Sequence, residues 1–206
     1  APALYAALAE RGYFEKSLLT TLRHIGSILQ GHPDMKHIPG VDMSTGSLGQ
    51  GISAAVGMAL SAKHFGDSFK VYAVLGDGEI EEGQVWEAAM FAGNKGLSNL
   101  TAFVDYNNLQ IDGTIEEVNS AAPIDKKFEA FGWHVITIDG HSFEEIENAL
   151  KEAETADKPV AIIAKTVKGK GVSFMENAVG WHGSAPNDEQ YEQAMTELNA
   201  ALAALN

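Results

Sequence analysis

The chain of 206 residues contains no cysteine. Disulfides, thiolate metal centres and cysteine nucleophiles are therefore excluded. Basic residues are scarce: 14 Lys and Arg stand against 28 Asp and Glu, a formal net charge of −14. A protein that tracks nucleic-acid phosphates needs a basic face, and one held on anionic lipid needs basic clusters, so neither nucleic acid nor a membrane surface is an expected partner. No apolar run approaches the ~20 residues that span a bilayer. The opening residues Ala1-Pro2-Ala3-Leu4 lack the basic segment and apolar core of a secretory signal, so a cytoplasmic protein is expected. What is present is a globular mixture, 45% apolar and 20% charged. With no low-complexity linker and no internal repeat, one domain over residues 1–206 is expected.

The first seventy residues read as helical and glycine-rich. Leu18, Leu19, Leu22, Ile25, Ile28 and Leu29 recur at three- and four-residue spacing, which predicts a helix with one buried stripe, ended by Gly31-His32-Pro33. Residues 32–45 carry two prolines and a glycine without a period and read as a long loop. A helix rich in Gly and Ala follows over 48–65. From residue 71 strands and helices alternate: strands at 71–75, 100–104, 133–138 and 159–164, helices at 83–96, 123–131 and 143–154. Ser142 and Glu145 read as a capping box. The strands are apolar throughout rather than alternating, as when helices cover both faces of a sheet. The expected fold class is therefore α/β, a parallel sheet with helices on both faces. A last helix from residue 188 carries Tyr191, Met195, Leu198, Leu202 and Leu205 on one face.

In open parallel sheets ligands bind beyond the carboxyl ends of the strands. Gly76-Asp77-Gly78, residues 105–109 and residues 165–171 all fall there. The two glycines permit a sharp turn and close approach of a ligand, and the N–H groups of the helix that follows favour an anion. Asp77 places a carboxylate at the same point, and the two preferences are reconciled by a hard cation between carboxylate and anion. Asn107, ending the neighbouring strand, supplies a neutral oxygen, which suits Mg²⁺. Either motif alone is an ordinary turn; together at adjacent strand ends they point to a diphosphate and a divalent metal. Lys165, Lys168 and Lys170 form a small basic cluster in an acidic chain, though a solvated loop accounts for them equally. Glutamates 79, 81 and 82 suit a helix start with no further role. Trp86 and Phe91 read as packing residues. His24, His37, His64, His134 and His141 carry no motif and are assigned no role.

The strings GDGEIEEGQVWEAAMFAG, VDYNNLQIDG, GHPDMKHIPGVDMSTGSLGQG and WHG resemble the N-terminal, diphosphate-binding half of transketolase over essentially the whole chain. Pyruvate-dehydrogenase-type subunits share GDG and NN but not the HPD…TGSLGQG stretch, and deoxyxylulose-phosphate synthases differ around the second motif. The resemblance implies a thiamine-diphosphate-binding fold of the diphosphate-binding type. It implies that Asp77, Asn107 and the Leu109 carbonyl ligate Mg²⁺ (or Ca²⁺ or Mn²⁺), that Gly76 and Gly78 shape the diphosphate turn, and that Gly78 offers it a backbone N–H. Gly46, Ser47 and Leu48 match the loop against the aminopyrimidine. Lys168 matches a cofactor-loop lysine, His182 a histidine near the diphosphate and the reacting carbon, and His32 a histidine near the substrate hydroxyls. A histidine passes protons near neutral pH. Glu82 and Glu87 match glutamates of a subunit interface.

The implied activity is transfer of a two-carbon ketol unit from a ketose phosphate to an aldose phosphate, as in pentose phosphate metabolism. In the family a glutamate on a separate pyrimidine-binding domain activates the cofactor. That domain is not found in this chain, nor is a segment that family members carry ahead of Ala1. The expectation is thus the N-terminal subunit of a split transketolase, inactive alone, working with a pyrimidine-domain subunit in a heterotetramer. Two alternatives stand beside it. One is a non-catalytic module that keeps the fold for interaction. The other is a different thiamine-diphosphate enzyme, such as a sugar-specific transketolase or a protein like deoxyxylulose-phosphate synthase.

Overall fold

A computed structural model describes residues 1–205. The chain divides into two compact units, Ala1–Gly51 and the remainder from Ile52.

The first unit opens with α1 (Pro2–Glu10), whose proline sits in the first turn where a missing N–H costs nothing. Tyr5, Leu29 and Ile38 are buried together, ringed by Phe14, Leu18, Leu19, Leu22, Ile28 and Val41. The Tyr5 hydroxyl donates to the Gln30 carbonyl at 2.7 Å. The helix expected over 18–29 does not form. Lys16–Thr21 is a 3₁₀ turn, and the chain then bends through Arg23 and Gly26, both at positive φ. The Thr20 and Thr21 hydroxyls bond to carbonyls three residues back, which tightens this stretch. Of the six residues read as one stripe, Leu29 is buried while Ile25 is fully exposed. Spacing alone could not distinguish a helix from turns that fold the same leucines inward. The loop over 32–45 is ordered around Asp34. Its carboxylate accepts from the Lys36 N–H at 3.0 Å, the His37 ring at 2.5 Å and the Ser44 hydroxyl at 3.1 Å.

The second unit is built on four strands, β1 (Val71–Gly76), β2 (Leu100–Tyr106), β5 (His134–Asp139) and β6 (Val160–Lys165). They form one sheet, all parallel, in the order β1-β2-β6-β5. A small antiparallel pair, β3 (Leu109–Gln110) and β4 (Gly113–Thr114), follows β2. Alternate residues of β6 separate into two cores, as the two-residue period of a strand requires. Ala161 and Ile163 join the side covered by α2 (Gln50–Phe65), α3 (Gly83–Lys95) and α5 (Ile124–Ala130). Val160, Ile162 and Ala164 join the side covered by α6 (Phe143–Thr155). Helices thus cover both faces, as expected. Burial is near complete only in the central strands, however: Tyr72 and Val74 of the edge strand β1 are 53% and 74% exposed.

Four local expectations need correction. The capping box at Ser142 is half formed. The serine hydroxyl accepts from the Glu145 N–H, but the Glu145 carboxylate accepts from Asp139 N–H at 2.7 Å, because the turn brings the strand end within reach. A complete capping box forms instead at Thr114 and Glu117, opening α4 (Ile115–Val118). After Gly78 comes a 3₁₀ turn, Glu79–Glu81, and α3 starts only at Gly83 with Glu82 as its N-cap. The stripe on α7 (Asp188–Ala204) is exposed at Tyr191, Leu198 and Leu202, and only Ala194 is buried. Trp86 does pack, against Phe128 and Phe131, whereas Phe91 stays 41% exposed with the Lys95 ammonium over its ring.

α3 approaches the sheet through its small face, Ala88, Ala89, Ala92 and Gly93. The Trp133 indole N–H donates to the Ala89 carbonyl at 2.8 Å. A Cβ on Gly93 would overlap the Phe131 carbonyl, and that carbonyl belongs to backbone that cannot swing away. Gly93→Ala is therefore expected to destabilise the fold by at least the about 1–3 kcal/mol of ordinary overpacking, read as a lower midpoint in chemical denaturation.

In the first unit, the Lys36 N–H, then the His37 ring and the Ser44 hydroxyl, hold the Asp34 carboxyl down from its usual 3.8 to about 2. A depressed native value contributes stability that is complete above 3.8 and lost as pH falls through about 2. The Lys36 amide, which donates to that carboxylate, is expected to stay protected from hydrogen exchange down to about pH 4. Asp34→Ala, which deletes the acceptor, should remove that protection at neutral pH.

Candidate functional site

The carboxyl ends of β1, β2 and β6 lie side by side: Gly76 is in register with Asp105, and Tyr106 with Lys165. The turn after β1 carries Asp77, only 2% exposed. Its N–H donates to the Asp105 carbonyl at 3.2 Å, extending the ladder by one residue. Its carboxylate is held from two sides. One oxygen accepts from the Gly78 N–H at 2.9 Å, the other from the Asn108 N–H at 2.5 Å. The second bond joins the ends of neighbouring strands. Gly78 lies against Gln110, whose Cβ would be 3.0 Å from any Cβ there. The Gln110 amide in turn donates to Glu81 at 3.0 Å, and the Gly76 N–H donates to the Glu79 carboxylate at 3.1 Å.

Asn107 makes a turn of its own, its side-chain oxygen accepting from the Leu109 N–H at 3.1 Å. Asp77, Asn107 and Leu109, read from sequence as one group, are thus brought together on two adjoining strand ends. The Gly78 N–H, expected to face a diphosphate, is engaged by the Asp77 carboxylate.

Burial pushes the Asp77 carboxyl upward; the Asn108 and Gly78 N–H groups pull it back, and the neighbouring Asp105 charge adds to the rise. Among the described residues no cationic side chain pairs with it. A buried carboxylate with backbone donors and, among the described residues, no cationic side chain to pair with is a group that a hard cation such as Mg²⁺ would suit. Among the described residues no three His, Asp or Glu side chains converge as a cage. A cation at Asp77 would therefore complete its shell from a ligand and water.

Beyond β6, Lys168 is half-buried and its ammonium lies 3.4 Å from His182 Nδ1. An ammonium only donates, so Nδ1 accepts and Nε2 carries the ring proton. The loop between them is fixed by its backbone and by α7. The Asn177 N–H donates to the Lys168 carbonyl at 2.9 Å, and the Ser173 N–H and hydroxyl bond to the Glu197 carboxylate at 2.6 and 2.7 Å. Those bonds, the backbone one foremost, hold the Glu197 carboxyl below its ordinary value. The Trp181 indole donates to the Phe174 carbonyl at 3.0 Å. Of the other loop lysines, Lys170 has Glu176 at 3.9 Å and Lys165 is exposed at the strand end.

His32 and the 46–48 loop belong to the first unit. Gly46 has φ +135° and a Cβ on it would overlap the His32 imidazole, so only glycine lets the loop lie against that ring. Ser47 and Leu48 are exposed, and Ser47 lines a shallow hollow with Met43, Ser44, Thr45, Gln50 and Gly51. Glu82 and Glu87 are exposed, at the N-cap and on the first turns of α3.

Three residues that position this site carried no sequence signal. Asp105 accepts a short hydrogen bond from the Thr166 hydroxyl, tying β2 to the loop after β6. His141 accepts from the Val167 N–H at 2.7 Å. Each acts through the sheet register, which no local motif reports.

Comparison with known proteins accords with this geometry. The profile of the family described as "Transketolase, thiamine diphosphate binding domain" matches residues 2–201. A 6-deoxy-6-sulfo-D-fructose transketolase subunit from Clostridium sp. (strain MSTE9) is 50% identical over 96% of this chain and 72% of its own length. An apulose-4-phosphate transketolase subunit from Phocaeicola vulgatus is 42% identical over 97% of this chain and 71% of its own. A solved transketolase from Pichia stipitis, in complex with sedoheptulose-7-phosphate, superposes with a TM-score of 0.86 at 32% identity. The match covers 94% of this chain, which spans 30% of that longer protein. A parallel sheet covered on both faces, an aspartate turn at its carboxyl edge and a family match over nearly every residue lead to one conclusion: the chain belongs to the transketolase family and carries its thiamine-diphosphate-binding domain.

Proposed function

We propose that this chain is the diphosphate-binding subunit of a two-subunit transketolase, transferring a two-carbon ketol unit from a ketose phosphate to an aldose phosphate in the cytoplasm. The observation that carries this reading is the buried Asp77 carboxylate, without a cationic side-chain partner among the described residues, held by the Gly78 and Asn108 N–H groups at two adjoining strand ends. Two similar proteins are named as transketolase subunits, and this chain spans about 70% of each. That supports a separate pyrimidine-domain partner and, with exposed Glu82 and Glu87 on α3, a heterotetramer.

Bound thiamine diphosphate supplies a nucleophilic thiazolium carbon, the chemistry the protein itself lacks. Asp77, Asn107 and the Leu109 carbonyl would hold Mg²⁺, which would supply positive charge for the diphosphate. Gly76 and Gly78 keep the turn free of side chains. Lys168 adds a positive charge for the phosphates and donates to His182 Nδ1, leaving the Nε2 proton free to donate. His32 and the Gly46-Ser47-Leu48 loop serve the substrate hydroxyls and the aminopyrimidine.

One observation favours a narrower second reading, a transketolase specific for an unusual sugar: the two subunits above are named for a sulfonated ketose and for apulose 4-phosphate.

Asp77→Ala should weaken Mg²⁺-dependent binding of thiamine diphosphate by more than the about 10–100-fold typical of outer-shell changes around a metal, measured by calorimetry on the complex with its partner subunit. Equal binding by the variant removes the metal assignment. In the same complex, ketol transfer from fructose 6-phosphate is expected. Turnover confined to a 6-sulfo ketose would move the protein to the second reading, and none with any donor would leave a non-catalytic module.

A further inference from the structure

The loop that carries Lys168 leaves β6, which lies between β2 and β5, and it is pinned from both sides. Towards β2, the Thr166 N–H donates to the Tyr106 carbonyl at 3.1 Å and the Thr166 hydroxyl bonds to Asp105. Towards β5 the contact is made by the turn that follows Asp139. The Gly140 N–H donates to the Lys165 carbonyl at 2.8 Å. Gly140 has no Cβ, and one placed there would stand 2.5 Å from Thr166 Cγ2, so the turn lies directly on the loop. The next residue is His141. Its N–H donates to Asp139 Oδ1 at 2.9 Å, which orients the residue at the head of α6. Its Nε2 then accepts from the Val167 N–H at 2.7 Å.

A backbone N–H can only donate, so the His141 ring must offer a lone pair at Nε2 and carry its proton on Nδ1. The amide it holds is one residue before Lys168, and the Lys168 carbonyl is fixed on its other side by the Asn177 N–H. We propose that His141 is a positioning residue: through Nε2 it sets the backbone from which Lys168 reaches His182. Its relevance to catalysis rests on the function proposed above, but the geometry itself does not. His141 touches neither Lys168 nor His182 through its ring; it acts on them by fixing the peptide between Val167 and its neighbours. The Asp105–Thr166 bond and the His141–Val167 bond then form the two flanks of one mount.

The test uses the full chain and three variants. In the parent protein, the ¹⁵N shifts of the His141 ring should show the neutral form with the proton on Nδ1. His141→Ala should speed exchange of the Val167 and Lys168 amides about fivefold to tenfold, with amides of β6 unchanged, and should shift the His182 Nδ1 resonance. His141→Gln, whose side-chain oxygen can occupy the place of Nε2, should restore both; His141→Asn, with a shorter reach, should restore neither. An Nε2-protonated ring in the parent, unchanged exchange in His141→Ala, or failure of His141→Gln to restore protection overturns the proposal. The tautomer measurement needs no variant, so it stands even where one fails to fold. Loss of loop protection with unchanged thiamine-diphosphate affinity would support the positioning role and instead remove Lys168 from the diphosphate site.

Discussion

A carboxylate withdrawn from water, with no cationic side chain paired to it among the described residues, organises this molecule. Asp77 loses hydration, and two backbone N–H groups offset only part of the cost. The parallel sheet makes the arrangement available. Strand ends in register place the Asn108 amide opposite the turn after β1, and only chains running in the same direction bring two such ends together. The remaining features serve that junction. Small residues on α3 bring the helix close to the backbone under Trp133, Gln110 packs against Gly78, and Glu79 closes the turn onto the Gly76 amide. Among the described residues no cationic side chain offsets the Asp77 charge, and a bound divalent cation would supply the complement.

Much of this was legible in the residues alone. Four apolar runs alternating with helical patterns read as parallel strands, and the turns after the first two carry Asp77, Asn107, Asn108 and Leu109. Legibility failed where the outcome depended on partners distant in sequence. Leucines over 18–29 satisfy a helical period, yet Arg23 and Gly26 at positive φ turn the chain, and Leu29 reaches the same core without a helix. Glu145 satisfies the spacing of a capping box, yet the end of β5 lies closer to its carboxylate. His141 looked no different from His24, His37, His64 and His134, because only the pairing of β5 with β6 places it beside Val167. Local rules captured which atoms could bond. Tertiary proximity decided which did.

The loop after β6 shows how a flexible-looking segment becomes a precise one. Its sequence, with two glycines and three lysines within a few residues, reads as mobile and solvated. In the structure, β2, β5 and α7 each hold one part of it: Thr166 is tied to Asp105, Val167 to His141, Ser173 to Glu197. Each bond is weak, about 0.5–1.5 kcal/mol, but they restrain successive stretches of one loop, and their effects on its freedom compound. Lys168 and His182 thereby meet on a rigid frame although neither belongs to a helix or a strand.

The sheet order has one consequence for how the chain behaves in solution. Among the described residues β1 pairs only with β2, and its exposed Tyr72 and Val74 make it an apolar strand at the margin of a parallel sheet. Such margins invite extended segments of other chains to add on, which ends in aggregation when the added segment is the wrong one. This edge has no proline or lysine among Val71–Gly76 to discourage that. The deterrent is instead spread over the whole surface: at a net charge of −14, two copies repel before their margins meet. Added salt shortens the range of that repulsion, so the acidic composition acts here as a colloidal safeguard whose strength is set by ionic strength.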